Sequence, residues 1–109
     1  MALEVRDLRL LNAIADQGTL TRAGNVLFLT QSALSRQLAD LEKRLGVSLF
    51  QRNGRRMVLT PGGERLVESG REILGAVARA EREARETAGT SYAVLRFATE
   101  CYTCYHWLP

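Results

Sequence analysis

Gln31, Ser32, Ser35 and Arg36 fall within six residues and supply an amide, two hydroxyls and a guanidinium. Such groups near the start of a helix can reach phosphate oxygens and base edges in a DNA major groove, where arginine pairs bidentately with guanine. The sequence around them is helical. Leu34, Leu38, Leu41 and Leu45 recur at spacings of 4, 3 and 4, which places them on one stripe. The opposite stripe holds Ser32, Arg36, Ala39 and Lys43, free of β-branched and aromatic bulk. Thr30 is a good N-cap, and Gly46 is a good stop just past Leu45. The plainer alternative is the solvated face of a bundle helix, and the neighbouring elements must decide between the two.

A second group with chemical potential lies near the end of the chain. Cys101 and Cys104 have the spacing of a redox pair or half a zinc site, with His106 nearby. A structural zinc site takes four ligands and this group offers three. A thioredoxin-like reading lacks its βαβ setting. A small redox or zinc-binding module using Cys101 and Cys104 therefore stands as the alternative function. Hydrolase or transferase chemistry has no support: there is one histidine, no glycine-rich phosphate loop after a strand and no catalytic carboxylate pair. The expectation is a protein that is not an enzyme and holds no metal.

Composition fits an ordinary soluble protein of 109 residues, 46% apolar and 25% charged, with a net charge of +3. The charge is unevenly spread. Residues 1–62 carry nine Arg and Lys against five acids, whereas residues 63–109 carry six against seven. No acid falls between Glu42 and Glu64, while Lys43, Arg44, Arg52, Arg55 and Arg56 all do. Such a patch favours a polyanion and salt-dependent binding. There is no membrane-length apolar run and no signal-peptide core, so the expected location is the cytoplasm, without a membrane partner.

The elements that would position these groups can be read in order. Leu8, Leu11, Ile14 and Ala15 form a stripe in a helix over Leu3 to about Asp16, which Gln17-Gly18 ends. Thr19 caps a short helix from Leu20 to about Leu27, whose small Ala23 and Gly24 allow close helix crossing. Phe28-Leu29 is read as a turn tucked under the domain, before Thr30 caps the third helix. A short helix, a three-residue turn and a longer helix with a polar start make a helix-turn-helix, over about residues 20–39. The period then changes. Two short extended runs flank Asn53-Gly54, a strong hairpin signal, making a wing over about residues 48–60. Leu49, Phe50, Val58 and Leu59 are expected to lean on the helices. Arg55 follows the turn, where a long cation can enter a flanking minor groove; Arg56 points to the other face. A hairpin with a solvated, Arg-rich tip is the weaker alternative.

These residues resemble the N-terminal signature of LysR-type transcriptional regulators. The resemblance is carried by Ala23, Leu27, Gln31 through Gln37, Leu41-Glu42, Leu45-Gly46, Leu49-Phe50, Arg52 and Leu59-Thr60-Pro61, without gaps from about Leu8 to Gly63. It implies a mainly α fold: a winged helix-turn-helix of three helices plus a two-stranded wing over residues 1–60, then a long dimerisation helix. The implied partner is double-stranded DNA. The residues assigned to it are Thr19, Thr21, Arg22, Thr30, Gln31, Ser32, Ser35, Arg36, Arg55 and Arg56. Two positions depart from the family. Gly24 stands where Ala is usual, at an expected cost of about 0.5–1 kcal/mol, and Gly62-Gly63 where one Gly is usual.

From Pro61 a repeat of small and apolar residues (Leu66, Gly70, Ile73, Val77, Ala80 and Ala84) predicts a helix over 61–88. Its far half is too long to bury against a 60-residue domain, so it should pair with a second copy. Dimerisation is assigned to Leu66, Ile73, Val77, Ala80 and Ala84. In the resembling family this linker helix packs antiparallel and spaces two recognition helices on a pseudo-palindromic site, and a higher oligomer is expected of the full-length protein. Residues 89–109 are read as a hinge at Ala88–Ser91, a strand over Tyr92–Thr99 and the start of a truncated effector-binding domain. The final stretch resembles the homocysteine-responsive branch of the family, which governs methionine biosynthesis. It implies a small-molecule effector such as homocysteine for the full-length protein, met here by Thr99, Glu100 and Cys101. No cofactor is expected in the fragment itself.

Overall fold

The computed structural model describes the backbone of residues 1–98 and the side chains of residues 1–89. The order of elements is α1 (Val5–Gln17), α2 (Leu20–Leu27), α3 (Gln31–Leu45), β1 (Phe50–Asn53), β2 (Arg56–Leu59) and α4 (Pro61–Ala98). The chain divides into two units, Met1–Leu74 and Gly75–Pro109. No helix among the described residues is long and apolar enough to cross a membrane.

Local chemistry sets the helix ends. The Thr19 hydroxyl accepts from the Arg22 N–H at 3.2 Å, and the Thr30 hydroxyl from the Ala33 N–H at 3.1 Å. Each satisfies an amide that the first helical turn leaves without a partner. Gly18 and Gly46 close α1 and α3 at φ of 80° and 70°, a region that penalises any residue with a Cβ. At the start of α1 the Glu4 N–H donates to Asp7 Oδ2 at 2.9 Å, so the helix begins at Val5 rather than Leu3.

The leucine stripes meet in the core of the first unit. Leu10, Leu11 and Ile14 of α1 pack with Leu20 and Ala23 of α2 and with Leu34, Leu38 and Leu41 of α3. Leu49, Phe50 and Val67 complete the cluster, binding the hairpin and the first turns of α4 to the helices. Leu10 belongs to it although the α1 stripe read from sequence omitted it; Ala15 is only half-buried.

Several expectations need correction. Phe28 is not tucked under the domain but 93% exposed, at φ 58°. The left-handed turn directs its ring outward, while the Leu29 N–H returns to the Gly24 carbonyl at 2.8 Å and Leu29 packs against the core. The same closure explains Gly24: a Cβ there would lie 2.6 Å from the Leu29 carbonyl oxygen, so in this turn glycine relieves a clash rather than costing stability.

The hairpin turn also differs from the sequence reading. Phe50 pairs with Leu59 and Asn53 with Arg56, so the two turn residues are Gly54 and Arg55. Gly54 takes φ 63° at the first central position. Centring the turn on Asn53-Gly54 would have set Phe50 opposite Met57; the observed register instead pairs two core-facing residues, Phe50 and Leu59. Val58 is therefore on the outer face and 46% exposed, and Met57 packs inward in its place. The wing also gains an edge that the sequence did not announce. Thr19 bridges Arg56, and the Met57 N–H donates to the Gly18 carbonyl at 2.9 Å.

The hinge and strand expected after Ala88 are absent from the described backbone, because α4 continues to Ala98. A strand leaves its N–H and C=O groups to a neighbour, and the described sheet contains only β1 and β2. A helix satisfies them within itself, and no proline interrupts the run.

Asp7 and Arg44 join α1 to α3 over a long sequence separation. The Arg44 guanidinium donates to both Asp7 oxygens at 3.0 Å, to Asp40 at 2.9 Å and to the Ala2 carbonyl. Arg44 is thus neutralised within the fold and drops out of the basic patch inferred from sequence. The hydrogen bond from Arg44, aided by the Glu4 N–H, holds the Asp7 carboxyl below its ordinary value of 3.8 against the opposing effect of burial. A carboxyl lowered in the folded state contributes stability above its unfolded value, and loses it as pH falls through the folded one. The urea midpoints of the native chain and Asp7→Asn should therefore lie apart at neutral pH and converge below about pH 4. A gap independent of pH would show that the pair adds no charge-linked stability.

Candidate nucleic-acid interface

The starts of α2 and α3 come together at the hairpin. Thr19, Thr21 and Arg22 of the first, Gln31 of the second, and Arg52 and Arg55 of the wing line one concave cleft of about 510 Å³. No acidic side chain lines it. The Thr21 hydroxyl donates to Gln31 Oε1 at 3.2 Å, fixing one helix start against the other and leaving the Gln31 amide nitrogen to donate outward. Thr30 and Ser32 share a hydrogen bond at 3.4 Å, so the hydroxyls at the start of α3 form a connected row.

Arg36 lies elsewhere. It lines a separate groove of about 540 Å³ with Arg6, Gln37, Asp40, Asp7 and Arg44, on the α1 side of α3. The polar ridge of α3 thus spans two concavities: Gln31 faces the wing side, and Arg36 the α1 side. Ser32 is exposed on the same turn. Arg55 sits within the turn at the tip of the wing, and Arg56 is exposed beside Thr19.

Two cations were not assigned from sequence. Arg6 reaches the α1-side groove, where an exposed ion pair at 2.9 Å joins it to Glu4. Arg52 enters the wing-side cleft and donates to Ser35 Oγ at 3.4 Å. Strand alternation was the available signal, since Arg52 shares a face with the buried Phe50 two residues earlier.

Glu42 holds the wing in place. Its carboxylate accepts from the Leu49 N–H at 2.6 Å and more weakly from the Phe50 N–H at 3.4 Å. The last acid before the basic stretch is therefore spent on hairpin backbone. Among the described residues no group of three or more His, Cys, Asp or Glu side chains could hold a metal ion. Thr99, Glu100, Cys101, Cys104 and His106 lie outside the described residues.

Residues 5–64 match the family model described as bacterial regulatory helix-turn-helix protein, lysR family. The chain belongs to the LysR family. Its helix-turn-helix is thus a LysR-type DNA-binding module of a transcription regulator. Among curated relatives, the HTH-type transcriptional regulator MetR of Salmonella typhimurium is 41% identical over 106 residues, covering 97% of this chain and 32% of the relative. The MetR of Haemophilus influenzae is 38% identical over 106 residues, covering 97% of this chain and 34% of the relative. The chain therefore spans about a third of the length of these LysR-family relatives. Two solved structures are similar at the level of fold and sequence. The CbnR DNA-binding domain in complex with DNA superposes with a TM-score of 0.73 at 34% identity, over 79% of this chain and 99% of that one. The BenM DNA-binding domain with catB site 1 DNA gives 0.76 at 30% identity, over 79% and 96%. The comparisons lend no support to a redox or zinc function for Cys101 and Cys104.

Proposed function

We propose that this LysR-type domain reads a pseudo-palindromic DNA site as a homodimer. In this reading the start of α3 enters the major groove and Arg55 enters a flanking minor groove. The observation that carries it is the acid-free cleft in which α2, α3 and the wing converge. Gln31, Ser32, Ser35 and Arg36 supply base and nearby phosphate contacts. Thr19, Thr21, Arg22 and Thr30 hold the flanking backbone, while Arg56 lies beside it. The DNA in the solved CbnR and BenM complexes supports this reading.

Dimerisation is assigned to α4 through Leu66, Ile73, Val77, Ala80 and Ala84. Of these, Leu66 is already half-buried against its own domain. The MetR relatives support control of methionine and sulfur amino-acid genes. The full-length protein would act in the cytoplasm, as a higher oligomer, in response to a small-molecule effector such as homocysteine.

Selection of duplexes from a random pool, followed by binding titrations, tests the DNA reading. Arg36→Ala should cost about 1–3 kcal/mol on the selected site and little on random DNA. Equal losses on both would reduce Arg36 to a phosphate contact.

A further inference from the structure

One rung of the wing is held at both of its ends. Arg52 pairs with Met57 across the hairpin, and the Met57 N–H donates to the Gly18 carbonyl at 2.9 Å. On the other side, Arg52 Nη2 donates to Ser35 Oγ at 3.4 Å. The rung thus connects the end of α1, both strands and the recognition helix. Its guanidinium opens into the cleft shared by Arg22, Gln31 and Arg55.

A guanidinium carries five N–H donors in one plane. Among the described residues, Ser35 takes the hydrogen bond from Arg52 and no acid pairs with it. Arg44 shows the contrast, since Asp7 and Asp40 use its charge within the fold. Arg52 therefore keeps both its charge and a free edge, the arrangement that grips an anionic oxygen bidentately.

We propose that Arg52 clamps a phosphodiester of the DNA strand that borders the recognition helix, with Ser35 setting the plane of its fork. The contact also acts in reverse. With its oxygen accepting from Arg52, Ser35 is held in one rotamer and its hydroxyl proton is left to donate to the DNA. Arg52 is thus a phosphate contact in its own right and a positioning residue for Ser35. This rests on the DNA reading above and adds a residue to it.

The test uses a duplex to which binding by the native chain has been demonstrated, and a random duplex of equal length, each titrated over a salt series. Arg52→Ala should weaken both by roughly ten- to a hundredfold. It should also flatten the dependence of log affinity on log salt by about one phosphate contact. Arg52→Lys should restore the salt slope but only part of the affinity, because an ammonium cannot hold phosphate and Ser35 in one plane. Arg52→Gln is a second neutral variant, to be used if the alanine variant does not fold. Ser35→Ala combined with Arg52→Ala should cost less than the two changes added together. An unchanged salt slope in the neutral variants overturns the clamp, and strict additivity overturns the tie to Ser35. A native chain that binds no duplex at any salt concentration is a different result, which rejects the DNA reading itself.

Discussion

Gly63→Ala should destabilise the domain by about 3 kcal/mol, the upper part of the range for overpacking a well-packed site. A Cβ at Gly63 would lie 2.1 Å from the Leu49 carbonyl oxygen and 3.0 Å from its carbon. Both are backbone atoms, and neither is free to retreat. The Thr60 N–H donates to that carbonyl at 3.0 Å, while the Thr60 hydroxyl donates to the Ser48 carbonyl at 2.6 Å and accepts from the Gly63 N–H at 3.0 Å. The first turn of α4 is thereby locked against the approach to the hairpin. Gly62→Ala is the control. Its Cβ would meet Val47 Cγ1 at 2.9 Å, the end of an exposed side chain that can rotate away. That variant should be neutral or stabilising by up to ~1 kcal/mol, through a less flexible unfolded chain. Urea unfolding of the two variants beside the native chain decides the matter. Equal midpoints for Gly63→Ala and the native chain would mean that the helix start yields more freely than its hydrogen bonds suggest. Of the two adjacent glycines, Gly63 is the one that the close approach requires.

Legibility from sequence followed the range of the interaction. The helix-turn-helix was readable because its signals are local. Thr19 and Thr30 cap, Gly18 and Gly46 stop, and the leucine spacing identifies the buried face without knowledge of its partner. The same holds for most of the wing-side cleft, since Thr19, Thr21, Arg22, Gln31 and Arg55 adjoin those caps and turns.

What failed depends on contacts across the chain. Arg44 looked like one more cation in an acid-free run until Asp7, 37 residues away, proved to be its partner. Arg52 stood in the basic stretch but not among the assigned DNA contacts: strand alternation gives its face, whereas its bond to Ser35, 17 residues earlier, has no local signal. The hairpin register was set by pairing Phe50 with Leu59, which outweighed the local preference of Asn53-Gly54. Phe28 was misplaced because apolarity predicts burial only when backbone direction permits it, and φ 58° does not. The strand over Tyr92–Thr99 was read from β-branched and aromatic residues, a preference that reflects a sheet neighbour more than the backbone itself.

Ile73→Asp should convert the chain from dimer to monomer and lower its affinity for a full pseudo-palindromic site by about 10²–10⁴-fold, the usual gain from linking two binding modules. Helix α4 has 38 residues, yet among those whose side chains are described, up to residue 89, Val67 and Gly70 are the last buried positions. Beyond them Ile73 is 41% exposed, Val77 is half-buried, and Ala80 and Ala84 are exposed. These four recur at spacings of 4, 3 and 4, the seam of a paired helix, with small residues at two positions to permit close approach. Most helical stability in proteins comes from packing an apolar stripe rather than from propensity, so a helix of this length calls for a partner. In a twofold dimer the change acts twice, removing two aliphatic contacts and placing two like charges in the seam. The domain that meets DNA should be untouched, so affinity for a single half-site should stay at the native value. Sedimentation equilibrium reports the assembly, and fluorescence anisotropy on full- and half-site duplexes reports the binding. A native chain that sediments as a monomer at high concentration would reject the seam. Parallel losses on half and full sites would instead place Ile73 among the residues that hold the domain together.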